Sequence, residues 1–125
     1  MAQEEKNMHI AATAYQRIFG DLDTSAVDEY ISKDFIQHNP TIPDGPEGVK
    51  GLLKMLISQG VPKQKIGFKH IATEGDTVFL HSRYEMAGKE WRFIDIYRME
   101  NGKFAEHWDA MMPMPDETAN NNPMF

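Results

Sequence analysis

The chain is predicted to be an α+β protein, with three N-terminal helices packed on the concave face of a curved, mainly antiparallel sheet. Three observations predict it. Apolar residues recur at helical spacing in the first half of the chain. In the second half they alternate, in four runs near residues 65–73, 77–86, 90–99 and 103–112. The turn signals "EGD", "AGK" and "ENGK" separate those runs, as in an antiparallel meander. A curved sheet closed by helices buries the apolar side of both halves.

The elements follow in order. Met8, Ala11, Ala12, Tyr15, Ile18 and Phe19 lie on one helical face, and Gly20 ends the pattern. A short second helix is expected with Ser25 as N-cap and Val27, Tyr30 and Ile31 on one face. "DFIQHNP" should be extended, because Pro40 disfavours helix at Asn39. "DGPEG" is a turn leading into a third helix, with Pro46 in its first turn and Glu47 well placed for the dipole. Leu52, Leu53, Leu56 and Ile57 form its apolar face, and "GVP" from Gly60 stops it. The last residues, from about 113, are expected to be a coil tail that caps the pocket or a partner subunit with Met124 and Phe125.

Length and composition narrow the function. The 125 residues suit one domain, with room for a core and a pocket. The absence of cysteine removes disulfides, thiolate nucleophiles and cysteine-ligated metals. A net charge of −6 without a basic run argues against nucleic acid as a partner. No apolar run reaches membrane-spanning length. The start, "MAQEEKNMHI", lacks secretory features, so a cytoplasmic location is expected. Nine methionines suit a pocket for bulky apolar ligands.

The hairpin at "RMENGKF" decides which residues share a face. A two-residue Asn101-Gly102 turn pairs Glu100 with Lys103 and sets Asp95 beside Trp108, with His107 pointing away. A three-residue loop pairs Met99 with Lys103 and sets Asp95 opposite His107. Side-chain chemistry favours the second. One face then carries Trp91, Phe93, Asp95 and Tyr97 with Ala105, His107, Asp109 and Met111. The other carries Arg92, Ile94, Ile96, Arg98, Phe104, Glu106 and Trp108, and resembles a subunit interface. A two-residue Gly88-Lys89 turn adds Leu80, Ser82, Tyr84 and Met86 to the first face. Directly opposed residues have Cβ atoms about 4.5–5.5 Å apart, so Asp95 and His107 would hydrogen-bond. His107 and Asp109, two apart on a strand, would be roughly 6.5–7 Å apart and grip a small group.

"YISKDFIQHNPTIPDGPEG", "EGDTVFLHSRYEM", "FIDIYRMENGKFAEHWDAM" and "NNNPMF" together resemble the SnoaL-like polyketide cyclases of the nuclear transport factor two-like superfamily. The resemblance implies a cone-shaped barrel, a homodimer through the outer sheet face, one deep pocket per subunit, and aldol ring closure without metal or organic cofactor. It places the acid–base carboxylate on Asp109. The family's partner on the preceding strand, often a histidine, falls on Asp95, a departure that His107 would make good. Ketosteroid isomerases carry a carboxylate before a proline where this chain has Asn39. Limonene-epoxide hydrolases use an Arg-x-Asp step, whereas Arg92 precedes Asp95 by three and falls on the opposite face.

The expected chemistry is acid–base catalysis at carbon next to a carbonyl, by Asp109, His107 and Asp95. Asp95 is the most telling, because an unpaired charge inside "WRFIDIY" is costly. His38 and Asn39 are expected at the pocket mouth, and Tyr15 as a phenolic donor into the cavity. Tyr84, Tyr97, Trp91 and Phe93 are expected in its wall. His38, His107 and Asp109 suit zinc chemically, but nothing fixes the spacing of the two histidines, and neither metal nor cofactor is expected. The expected ligand is a small apolar or aromatic carbonyl compound. The alternative is a non-catalytic small-molecule-binding or protein-interaction domain of the same fold.

Overall fold

The computed structural model describes residues 2–125. Helix α1 spans Ala2–Tyr15 and runs into a wide π-turn over Gln16–Gly20. Gly20 is required there, since a Cβ would sit 2.6 Å from the Gln64 carbonyl oxygen. Helix α2 covers Thr24–Tyr30, and its N-cap is Asp23 rather than Ser25: the Asp23 carboxylate accepts from the Ser25 N–H at 3.0 Å. Strand β1, Ile31–Gln37, begins one residue after α2, so Ile31 belongs to the strand and not to the helix face. Helix α3 spans Gly45–Ser58 with Pro46 in its first turn, and buries Val49, Leu53 and Leu56.

Four longer strands follow at the positions the alternation marks: β2 Gly67–Glu74, β3 Thr77–Met86, β4 Lys89–Glu100 and β5 Lys103–Pro113. Together with β1 they form one mixed sheet in the order β1-β5-β4-β3-β2, curved but not closed. All neighbours are antiparallel except β1, which lies parallel to β5 at the edge. The helices cover the concave face, and Ala11, Ile18, Val27, Leu53, Val78 and Leu80 are buried there. Among the described residues no helix is long and apolar enough to cross a membrane.

The register of the last hairpin differs from the expected one. The turn has two residues, Asn101 and Gly102, both with positive φ, and it pairs Glu100 with Lys103. Met99 pairs with Phe104, but Arg98 pairs with Glu106, so Ala105 is an extra residue in β5, a β-bulge. Beyond the bulge Tyr97 faces His107 and Asp95 faces Asp109. Asp95, His107 and Asp109 therefore do share the concave face, by a different route from the three-residue loop. The two-residue turn, by setting Phe104 opposite Met99, also points Phe104 inward, against its expected outward position, and it is fully buried. Its ring stacks on Tyr97 with centroids 3.7 Å apart, and Tyr97 in turn stacks on His107 at 4.5 Å.

The β3–β4 turn is Ala87-Gly88 rather than Gly88-Lys89, which slides the pairing by two and leaves the faces unchanged. The tail does not close the pocket through Phe125. That ring lies on the convex face, between the guanidinium groups of Arg83 and Arg92 at 5.0 and 5.7 Å.

The turn register separates two outcomes for one substitution. Phe104→Ala should cost about 3–5 kcal/mol in urea unfolding if the ring is in the core. A change within about 0.5 kcal/mol, typical of a surface site, would return Phe104 to the outer face.

Candidate active site

The concave face holds a cavity of about 330 Å³ between the sheet and α3, within the usual range for small-molecule sites. Its floor is polar and its walls are apolar. Asp95 from β4 and His107 and Asp109 from β5 form the floor with Tyr15 from α1. Period two on β5 brings His107 and Asp109 to one side, and the bulge makes that side the concave one.

The hydrogen bonds at the floor can be assigned to atoms. The Tyr15 hydroxyl donates to Asp95 Oδ2 at 2.7 Å, and His107 Nε2 lies 2.7 Å from Asp95 Oδ1. His107 Nδ1 lies 2.7 Å from Gln37 Oε1. The Asn39 backbone N–H donates to that same oxygen at 3.0 Å, which identifies it as the amide oxygen. Nδ1 of His107 therefore donates to Gln37, leaving Nε2 to share one proton with Asp95. Asp109 is held from the other side. Asn39 Nδ2 donates to its Oδ1 and Oδ2 at 3.0 and 2.9 Å, while Asn39 Oδ1 accepts from the Thr41 N–H at 2.9 Å and so fixes the amide. His107 Nε2 is 3.8 Å from Asp109 Oδ2.

Burial dominates the electrostatics. It raises the Asp95 carboxyl above its ordinary range, opposed in part by the bonds from His107 and Tyr15. The Tyr15 and Tyr97 phenols are held far up, first by burial and then by the Asp95 charge. Burial alone pushes the Tyr84 phenol up to about 12, and its hydroxyl donates to the Phe19 carbonyl at 2.8 Å. A buried pair with one proton between Asp95 and His107 carries a smaller desolvation cost than two separate charges.

The expected site residues distribute unevenly. Asn39, Tyr15, Tyr84, Met86, Phe93 and Met111 line the cavity together with the three floor residues. Leu80, Ser82 and Tyr97 are buried on the same face, beneath the lining rather than in it. The Ser82 Oγ has no hydrogen-bond partner among the described residues. Trp91 also stands outside the lining and donates its indole N–H to the Met86 carbonyl at 3.1 Å. His38 turns to the convex face, stacked on Trp108 at 4.8 Å and bonded to Glu106 at 2.7 Å. The set His38, His107 and Asp109 thus does not meet. The group that does offer ligand atoms to a metal is Asp95, His107 and Asp109, all within 4.8 Å of one another.

Gln37, which holds His107 Nδ1 at 2.7 Å, was not among the expected site residues. A signal for it was present: in an extended "QHN" the outer two residues share a face, and the middle one points the other way. The opposite wall, Phe19, Thr41, Ile42, Leu52, Met55 and Leu56, was also missed. Leu52 and Leu56 belong to the apolar stripe of α3, which periodicity assigns to core without distinguishing a lined cavity.

Comparison with known proteins agrees with this architecture. TsrD from Streptomyces laurentii superposes with a TM-score of 0.71 at 20% identity, over 86% of this chain and 88% of that one. A candidate polyketide cyclase from Bacillus cereus gives 0.69 at 22%, over 84% and 74% of the two chains. An LEH-like epoxide hydrolase from M. tuberculosis gives 0.67 at 14%, over 86% and 83%. At these identities the likeness is one of fold. No curated protein matches the chain significantly. The SnoaL-like domain profile, however, matches residues 12–107, and on that match the chain belongs to the SnoaL-like domain family.

Proposed function

We propose that the cavity catalyses a cofactor-free proton transfer at carbon next to a carbonyl, as in an intramolecular aldol ring closure or a related isomerisation. The observation that supports this most is the floor itself: a carboxylate, Asp109, beside an Asp95–His107 pair that shares one proton, at the end of an apolar cavity. Asp109 removes the proton from the activated C–H. The Asp95–His107 pair, backed by Tyr15, donates a hydrogen bond to the enolate oxygen as charge develops there. In the aldol case the enolate carbon attacks a second carbonyl of the same molecule, a C–C bond forms, and the new alkoxide takes back the proton held by Asp109. In the isomerase case that proton returns to a different carbon. The apolar walls keep water from the enolate. Asn39 and Gln37 position Asp109 and His107 without touching the reacting atoms.

Deuterium exchange at the α-hydrogens of acetophenone in D2O, followed by NMR, tests the chemistry without a known substrate. The wild-type protein should accelerate exchange, and Asp109→Asn should lose about 10²–10⁴ of that acceleration while still binding the ketone. Binding without acceleration in the wild type would favour the non-catalytic ligand-binding reading.

Asp95 makes a separate prediction about stability. Because its folded pKa is raised, the folded state holds the proton more tightly than the unfolded state. Stability should therefore decline as pH rises from about 4, the ordinary carboxyl range, through the raised value, and level off above it. Asp95→Asn keeps an acceptor for Tyr15 and supplies a donor for His107 Nε2. Its stability relative to wild type in thermal melts should rise over the same window. An unchanged difference from pH 4 to pH 8 would show that Asp95 is not raised.

The convex face suits a second copy of the chain. Ile94 pairs across the sheet with Ala110 and Ile96 with Trp108, and Ile36 and Met112 extend the patch. Ile94 and Ile36 are each 42% exposed and Met112 is 51% exposed. Arg98 and Glu106 place both signs of charge on its rim, as a self-complementary two-fold contact needs. We expect a homodimer by light scattering, and Ile94→Asp should shift it to monomer. A monomeric wild type at micromolar concentration would remove this interface.

A further inference from the structure

A second space adjoins the α3 wall of the cavity. Beyond the cavity is a surface groove of about 460 Å³ lined in part by Pro43, Asp44, Glu47, Gly48 and Gly51. Thr41, Ile42, Leu52 and Met55 line both spaces and so stand between them. Met55 is 47% exposed, a large apolar side chain left open at that junction. The groove and the cavity therefore adjoin across a wall of four side chains.

Two glycines of α3 face the groove for different reasons. A Cβ at Gly48 would lie 1.9 Å from the Pro43 carbonyl oxygen, so close packing of the loop requires glycine. A Cβ at Gly51 would meet nothing within 4 Å. Glycine inside a helix is destabilising relative to alanine, and packing gives no return for it at Gly51. Its effect is to leave the groove unfilled.

Charge limits what fits. No lysine or arginine lines the cavity or the groove among the described residues, while Asp95 and Asp109 occupy the floor and Asp44 and Glu47 the rim. An anionic ligand would meet carboxylates at both ends, and the cation beside the rim, Lys50, is already engaged by Asp28 at 2.8 Å and Glu47 at 3.6 Å.

We infer that the groove is the outer half of the ligand site, taking the apolar arm of a neutral ligand whose carbonyl-bearing end lies on Asp109 and the Asp95–His107 pair. This rests on the proposed role of the cavity and adds the ligand class: an elongated, uncharged carbonyl compound too long for the inner cavity. Ile42 and Met55 sort ligands by length where the two halves meet, and the open surface at Gly51 accommodates the arm.

Two aryl ketones test it, acetophenone and dodecanophenone, the latter with an alkyl chain that outgrows the inner cavity. Dissociation constants are measured by equilibrium dialysis for wild type, Gly51→Leu and Gly51→Ala, with His107 imidazole NMR signals reporting the carbonyl end. Wild type should bind dodecanophenone at least tenfold more tightly than acetophenone. Gly51→Leu should weaken dodecanophenone at least tenfold and leave acetophenone within twofold, with a melting temperature no lower than wild type. Gly51→Ala, too small to fill the groove, should bind both ketones like wild type. If both ketones perturb His107 but Gly51→Leu weakens neither, or weakens both equally, the groove is not a subsite. If neither ketone perturbs His107, the reading of the floor fails and the groove proposal falls with it.

Discussion

The position of the polar floor depends on one extra residue in β5. The Asn101-Gly102 turn takes the two-residue form in which both positions have positive φ, a twist that matches the flanking strands. Carried on without interruption, that pairing would set Asp95 beside Trp108 and send His107 and Asp109 to the convex face. It would also bury Glu106 against the core. Ala105 interrupts the ladder, and from there on the strand presents His107 and Asp109 inward and Glu106 outward. Insertion of one residue leaves a backbone pair unmade, and the gain is in what faces the core: Glu106 stays outside and His107 turns inward onto Tyr97, extending the stack that Phe104 begins.

Once turned inward, the floor residues must have partners, because a buried polar group left unbonded is costly. The parallel edge strand β1 supplies them. Its Gln37 lies in register with His107, and the chain just beyond it curls so that Asn39 reaches Asp109. Each amide is oriented by a backbone N–H, so the assignment of donors and acceptors follows from groups whose chemistry is fixed. The cluster is thus pre-arranged before any ligand enters. A proton-transfer site benefits from that rigidity, since its groups need not reorganise as charge develops.

Helix α3 sets the other dimension. Val49, Leu53 and Leu56 on its buried side hold it to the sheet, while Leu52 and Met55, a quarter turn around, line the cavity and the groove. One helix therefore seals the core on one face and bounds the cavity and the groove on the next. Gly48 lets the loop pack on the helix and Gly51 adds no side chain to the outer space, at a cost in helix propensity that the buried side offsets.

The order and type of elements were legible from the residues alone: helical spacing through Phe19 and along Leu52–Ile57, then alternation broken by three glycine turns. So was the shared face of Asp95, His107 and Asp109, because an unpaired carboxylate within "WRFIDIY" demands a partner and the sequence offers few. The bulge was not legible, since one- and two-residue shifts in a hairpin leave the same string of residues and differ only in what they bury. Nor was the fate of His38. Its neighbours in "QHN" alternate with it, and only the parallel pairing of β1 with β5 decides which side of the sheet is the cavity. The division follows from range: propensity and period act within a few residues, whereas register across strands and the space between a helix and a sheet are properties of distant segments brought together.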